Sequence, residues 1–418
     1  MKTKTKKIPK VNNKTLIAAF DIGKTTHFGY LRAPDDSEVK PFSFKNTRED
    51  YEKTWSKMEQ FRQEQGLEEI AVGFESTGPY AEPFINYMSK KPVKLMQVNP
   101  MHTKRLKEVN GNSPNKTDKK DPRVISDIMR LNHGLSVIIP QGVNAELRRL
   151  TQARERTTKD LTAQGNRLQM LMFLIFPEFY EIMKTTLSKS ALFLLKTCPL
   201  PEDIVEMGIG SLTSSLKKIS RGKLKKERAQ ELMDAARQSV GIDQGTKSIV
   251  IEIRYIVENI ENILRQIDVL EKQMKCCLRQ VPYSRNILSI KGVGIITAAG
   301  LIGEVGDFRA FKTVKELLKL AGLDLYEISS GEHKGKHRIS KRGRSLMRKF
   351  LYCATLGTVK SNGIFHKEYS MMKDRGMIKM KAVVALSRKL LRVIYALVRD
   401  DTMYDANYCA AIKSRKVA

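Results

Sequence analysis

Residues 17–31 read IAAFDIGKTTHFGYL: an apolar run that stops on an acid, turns at a glycine and resumes as a second β-prone run. Leu16 to Phe20 carry no charge, the pattern of a strand buried on both faces within a sheet. Asp21 then stands at the strand's end, where a carboxylate can hold a metal ion. The turn Gly23-Lys24-Thr25-Thr26 offers a second reading, a cradle for a nucleotide phosphate. Only one glycine precedes Lys24, so the G-x-x-x-x-G-K-[ST] spacing of a phosphate-binding loop is missing and that reading is the weaker one.

Outward from this hairpin, residues 47–66 place Tyr51, Trp55, Met58 and Phe61 on one helical face. Ile70 to Phe74 form a second short strand that ends on Glu75; a helix bearing Phe84, Ile85 and Met88 follows, then a third strand around Val93 to Met96. Strands alternating with helices predict an α/β layer on a mixed sheet. The loop NGNSPNKTDKKD (110–121) leads into a helix carrying Val124, Ile125, Ile128 and Met129, and this first domain is expected to span 15–135.

From about 143 the pattern changes to long helices. Ile249, Ile253, Ile256, Ile260, Ile263, Ile267, Leu270 and Met274 recur at alternating spacings of four and three, an unbroken heptad seam that predicts a coiled-coil arm. Its partner is either the 143–176 helix or another protomer. A helical region of 143–280 therefore holds a basic insert at about 185–245, and a last domain covers 281–405. That domain opens with ILSIKGVGIITAAGLIGEVGDFRAF (287–311), whose Gly292-Val293-Gly294 turn resembles half of a helix-hairpin-helix. Such a turn presents backbone N–H groups to a DNA phosphate; a plain helix-packing turn fits equally well.

Charge selects among the functions such a chain could have. Its 418 residues carry 75 Lys and Arg against 45 Asp and Glu, a net charge of +30. A polyanion partner explains that excess, and a small-metabolite enzyme does not need it. From Lys334 to Lys349 eight basic residues occur with no acid, interrupted by Gly and Ser as in a loop, which favours phosphate binding over a solvated helix face. The five cysteines form no C-x-x-C pair and no zinc spacing, so a reducing cytoplasm is expected. No apolar stretch reads as a signal peptide or membrane span; residues 1–14, with six Lys, and 406–418 read as tails.

Nucleases that cleave through two metal ions need several carboxylates converging at strand ends, because each hard Mg²⁺ takes oxygen ligands. Asp21 and Glu75 end strands. Asp118 and Asp121 are three apart at the opening of a helix, a spacing that points both side chains the same way. Each acid alone has a bland explanation as a turn former, a surface charge or a helix cap; the four in this order on one scaffold are less easily dismissed.

FDIGKTTHFGY, GFESTGPY and NKTDKKDP in the first domain, with LSIKGVGIITAAGLIGEVGDFRAFKTVKELLKLAGL and SSGEHKGKHRISKRGRSLMR in the last, together resemble the DEDD insertion-sequence transposases related to Piv-type DNA invertases. The resemblance implies a multidomain α/β plus α protein: a RuvC-like, RNase H-like N-terminal domain, a coiled-coil helical middle and a mainly helical C-terminal transposase domain. The family's four acids fall on Asp21, Glu75, Asp118 and Asp121, which implies a two-metal Mg²⁺ site. Its serine nucleophile falls on Ser330, with Ser329 adjacent, and the basic run supplies nucleic-acid contacts from Lys334, Lys336, Arg338, Lys341, Arg342 and Arg344. The implied partners are double-stranded donor and target DNA, a structured bridge RNA used by some members, and further copies of the chain in a dimer or tetramer. A prokaryotic, cytoplasmic protein that joins the nucleoid when active is implied as well. Two departures stand out: Pro122 follows the last acid where the family usually has Ala, and Lys291 precedes G-V-G where the family has Pro.

The competing readings are a Mg²⁺-dependent, structure-specific nuclease that uses only the acids, an ATP-dependent kinase built on the Asp21 turn, and a catalytically silent nucleic-acid binder. The absence of a second glycine-rich loop and the charge both argue against the kinase.

Overall fold

In the computed structural model, which describes residues 11–75, 78–111, 121–327 and 337–406, the chain divides into two units, 1–139 and 140–418. The first contains β1 (Thr15–Ile22), β2 (Thr26–Arg32), β3 (Glu38–Lys45), α1 (Arg48–Glu64), β4 (Glu69–Glu75), α2 (Ala81–Met88), β5 (Val93–Val98), α3 (Pro100–Gly111), α4 (Asp121–Arg130) and β6 (Leu135–Ser136). Its sheet has the order β3-β2-β1-β4-β5-β6. β1 is antiparallel to β2 and parallel to β4, and β5 continues the parallel set. The uncharged run of the opening stretch is thus the central strand, covered on both sides.

Period-two alternation assigns each face its helices. Leu16, Ala18, Phe20, Ile70, Val72 and Phe74 pack with Tyr51, Met58, Phe61, Phe84 and Met88 of α1 and α2. Ile17, Ala19, Ala71, Met96 and Val98 pack with Val124, Ile125, Ile128 and Met129 of α4. Gly73 lies under α4, where a Cβ would stand 2.1 Å from the Met129 sulfur, so the helix sits directly on the strand.

Two parts of this unit differ from expectation. β3 carries no strand signal in the sequence: Lys40, Pro41 and Ser43 break its alternation, and at the sheet edge only Phe44 is buried. Residues 11–14, expected in the tail, belong to the fold. The Val11 N–H donates to Asn132 Oδ1 at 2.8 Å, and Asn12 accepts from the Thr15 N–H at 3.1 Å. The rest of the expected tails, 1–10 and 407–418, lies outside the described residues.

The second unit is helical: α5 (Val143–Ile175), α6 (Phe179–Ile182), α7 (Lys189–Thr197), α8 (Pro201–Ile219), α9 (Lys226–Arg237), α10 (Thr246–Arg279), α11 (Ser284–Leu288), α12 (Ile295–Val305), α13 (Val314–Ala321), then the short pair β7 (Leu325–Tyr326) and β8 (Arg338–Ile339), and α14 (Ser345–Thr358), α15 (His366–Asp374) and α16 (Lys379–Arg399). One apolar cluster joins the distal halves of α5 and α10 to α7–α9, so the basic insert folds around Leu192, Leu195, Ile204, Leu216 and Leu232. A second cluster is built from α11–α16 with the end of α10.

The heptad face of α10 meets α5 of the same chain. Ion pairs Arg154–Glu271 at 2.5 Å and Arg167–Glu252 at 2.6 Å match rising numbers on α5 to falling numbers on α10, so the two run antiparallel. Ile253, Ile256, Ile260 and Met274 are buried, while Ile263, Ile267 and Leu270 are half-buried. Ile260 is fully buried, so Ile260→Asp places an unpaired charge in the seam and should destabilise this unit by about 3–5 kcal/mol. A thermal unfolding curve indistinguishable from wild type would contradict that.

Candidate functional site

The register Phe20↔Phe74 between the parallel strands β1 and β4 sets the next residues, Asp21 and Glu75, side by side at one end of the sheet. Alternation places both on the face that α4 covers, with Ala19 and Gly73. Both are half-buried. The contacts of α4 fix its direction. Arg123 stacks on the Tyr30 ring, Asp127 pairs with Arg32 at 2.8 Å, and Arg130 pairs with Asp36 at 2.7 Å. Numbers rise together along α4 and β2, so the helix is antiparallel to β1 and its first residue, Asp121, points back toward the end that holds Asp21.

Asp121 is 7% exposed, and its Oδ1 lies 2.5 Å from the Lys107 ammonium of α3. Pro122 occupies the first turn, where the missing N–H costs no helical hydrogen bond. Three of the four expected acids therefore share one face and one end of the sheet. All donate oxygen, the donor type that a hard divalent cation takes. Among the described residues no three His, Cys, Asp or Glu side chains are grouped closely enough to hold a metal, and Asp118 lies outside the described residues. Lys107 carried no signal in the sequence, because its pairing exists only once α3 and α4 lie together.

His27, inside the opening stretch, belongs to the opposite face. It is fully buried among the rings of Phe44, Tyr51 and Phe84, and that burial pushes its imidazole below the ordinary value. It is a core residue.

In the second unit, β7 and β8 pair through Leu325↔Ile339 and Tyr326↔Arg338. The segment between them carries Ser330 with Ser329, Lys334 and Lys336, all outside the described residues. The basic run that follows is fastened to the end of α13 by its backbone. Ser340 N–H donates to the Asp324 carbonyl at 2.8 Å, Lys341 N–H to Gly322 at 2.9 Å, and Arg344 N–H to Leu320 at 2.7 Å. Gly343 makes this possible, since a Cβ there would lie 2.4 Å from the Leu320 carbonyl oxygen.

This docking divides the six cations of the run that are described, which look alike in sequence. Arg338, Lys341 and Arg342 are exposed, and among the described residues no carboxylate pairs with them. Arg344 is half-buried and donates to the Glu304 carbonyl; burial and the neighbouring Arg148 push its guanidinium down to about 10. Arg348 donates to the carbonyls of Ala321 and Gly343. Lys349 holds both oxygens of Glu155 at 2.7 Å. Arg344, expected among the phosphate contacts, thus also bonds within the fold, as do Arg348 and, at the surface, Lys349.

The Gly292-Val293-Gly294 turn has an equally specific packing role. Gly292 adopts φ +101°, and a Cβ there would stand 2.5 Å from the Gly357 carbonyl carbon at the end of α14. Glycine is needed here for backbone-to-backbone contact.

Residues 18–177 match a family profile for the DEDD transposases of IS110 elements, described as "Transposase". Residues 284–370 match one described as "Transposase IS116/IS110/IS902 family". The two matches together cover more than half of the chain. The chain is 25% identical over 301 residues to the "Insertion element IS110 uncharacterized 43.6 kDa protein" of Streptomyces coelicolor, covering 71% of this chain and 74% of that one. It is 29% identical over 146 residues to the "Pilin gene-inverting protein" of Moraxella lacunata, covering 34% and 45%. It is 30% identical over 141 residues to the "Transposase for insertion sequence element IS1111A" of Coxiella burnetii, covering 32% and 38%.

Proposed function

Because this chain belongs to the IS116/IS110/IS902 family of transposases, we propose that it is the site-specific recombinase of a mobile element, cutting and rejoining DNA with an acidic tetrad and a serine. The observation that carries this reading is that Asp21, Glu75 and Asp121 lie toward one face and one end of the sheet, whose order β3-β2-β1-β4-β5-β6 begins with the strand order expected of an RNase H-like domain. Family membership implies a divalent metal. Asp21, Glu75, Asp118 and Asp121 would hold it, most simply as two Mg²⁺, and bound there it would supply positive charge against the phosphate and acidify a reacting hydroxyl.

The chain's own residues do the rest. Ser330 attacks the phosphate and becomes linked to the broken strand, and the 3′ or 5′ oxygen that it displaces leaves with the other strand end. Gly331, next to it in the sequence, would offer no side chain to hinder the phosphate, while Arg338, Lys341 and Arg342 follow in the chain with positive charge. Reversal of this attack by a new strand end rejoins the DNA without loss of phosphoryl energy. The excess positive charge suits donor and target duplexes together with a structured guide RNA, and copies of the chain act together as a dimer or tetramer.

The test incubates the protein with donor and target duplexes and Mg²⁺ and sequences both the junctions and any RNA that co-purifies. Joined strands with a co-purifying structured RNA are expected. Hydrolysed ends alone would favour the metal-only nuclease. Among the described residues no helix is long and apolar enough to cross a membrane.

Phosphate contact by the exposed cations has its own signature. Replacing Lys341 and Arg342 together with Ala should lower the slope of log affinity against log salt by about 2, since each phosphate contact contributes about 0.9. Fluorescence anisotropy between about 50 and 200 mM salt measures it. An unchanged slope would remove these two residues from the interface. Replacing Arg344 is expected to lower thermal stability instead.

A further inference from the structure

A buried carboxylate needs a countercharge, and for Asp121 the structure shows which one it has. Its side chain is 10% exposed, that of Lys107 is 30% exposed, and the two atoms are 2.5 Å apart. Leaving Asp121 charged without such a partner would be costly. A carboxylate such as this one is also what a divalent cation would take. An ammonium and a divalent cation on one half-enclosed carboxylate repel each other where water is scarce, so each weakens the hold of the other. We propose that Lys107 is the counter-ion that Asp121 exchanges for metal, and that it therefore sets the divalent-cation concentration at which the carboxylate site fills. This rests on the reading of Asp121 as a metal ligand. Lys107 acts here through Asp121, as a positioning and charge-balancing residue.

The consequence is that free protein holds metal weakly for a site of several acids. Removing the ammonium while keeping the carboxylate removes the competitor. Lys107→Met should then bind metal about tenfold more tightly, the factor expected of one partly buried ion pair. Lys107→Arg keeps the charge and should remain near wild type. A purely structural Lys107 predicts the opposite pattern, with Met impairing the site and no gain in affinity.

The experiment titrates Mn²⁺ into the full-length protein without nucleic acid by isothermal calorimetry, at fixed ionic strength, for wild type, Lys107→Met, Lys107→Arg and Asp21→Asn, with a melting curve for each. Lys107→Gln, which keeps a hydrogen-bond donor but no charge, serves in place of Met if that variant does not fold, with the same tightening expected. Tighter binding in the uncharged variants, unchanged binding in Arg and loss in Asp21→Asn is the expected set. Loss in Asp21→Asn with equal or weaker binding in the uncharged variants would overturn the counter-ion role and leave the carboxylate site standing. Wild-type binding in Asp21→Asn would instead sink the carboxylate site itself.

Discussion

Asp21→Asn should reduce strand cleavage by about 10³-fold or more, because a ligand to a catalytic metal supports several kcal/mol of transition-state stabilisation. Asp21 is half-buried at the end of the central strand, next in register to Glu75, so an amide there exchanges a metal-binding charge for a hydrogen-bond donor. Duplex affinity should stay within about twofold of wild type, because phosphate attraction is carried by cations. Glu75→Gln and Asp121→Asn should behave alike. Asp127→Asn is the control: it lies on the same helix as Asp121 but pairs with Arg32, and its cleavage rate should be unchanged. Chelation of divalent metal should reproduce the Asp21→Asn result. Full cleavage in Asp21→Asn, or equal loss in Asp127→Asn, would separate the acids from the chemistry.

The second large effect belongs to Ser330→Ala, which should abolish joined products to the limit of detection. A serine hydroxyl is a weak nucleophile at its own pKa and requires a base or metal together with cations around the developing charge. The cations follow it closely in the chain: Arg338, Lys341 and Arg342 are exposed, on a segment fastened to α13 through Gly343. Ser329→Ala should keep its activity. Retention of hydrolytic nicking in Ser330→Ala, with joining lost in both variants, would point to a metal-only nuclease.

What the sequence disclosed follows from where the chemistry is local. β1 and β4 were legible because a strand covered on both faces must be apolar throughout, and Asp21 and Glu75 were legible because they interrupt that rule at the strand ends. The α10 seam is legible as an apolar face, but its partner is not, since a heptad says only that a face is apolar; α5 of the same chain runs alongside it. β3 was hidden by its edge position. Lys107 was hidden for a different reason: its ion pair to Asp121 joins two helices, and nothing local marks it. The run 334–349 shows the limit of charge counting, because Lys341 and Lys349 look equivalent in sequence and are both exposed, while only Lys349 grips a carboxylate, that of Glu155, among the described residues.

The measurement closest to the central claim is the site of the covalent bond. The full-length protein is reacted with a nicked duplex that traps the intermediate, then digested and analysed by mass spectrometry. A DNA-linked peptide containing Ser330 is the predicted result, absent in Ser330→Ala and in Asp21→Asn and present in Ser329→Ala. An adduct that survives in Ser330→Ala, or strand breakage with no adduct in the wild type, would contradict it.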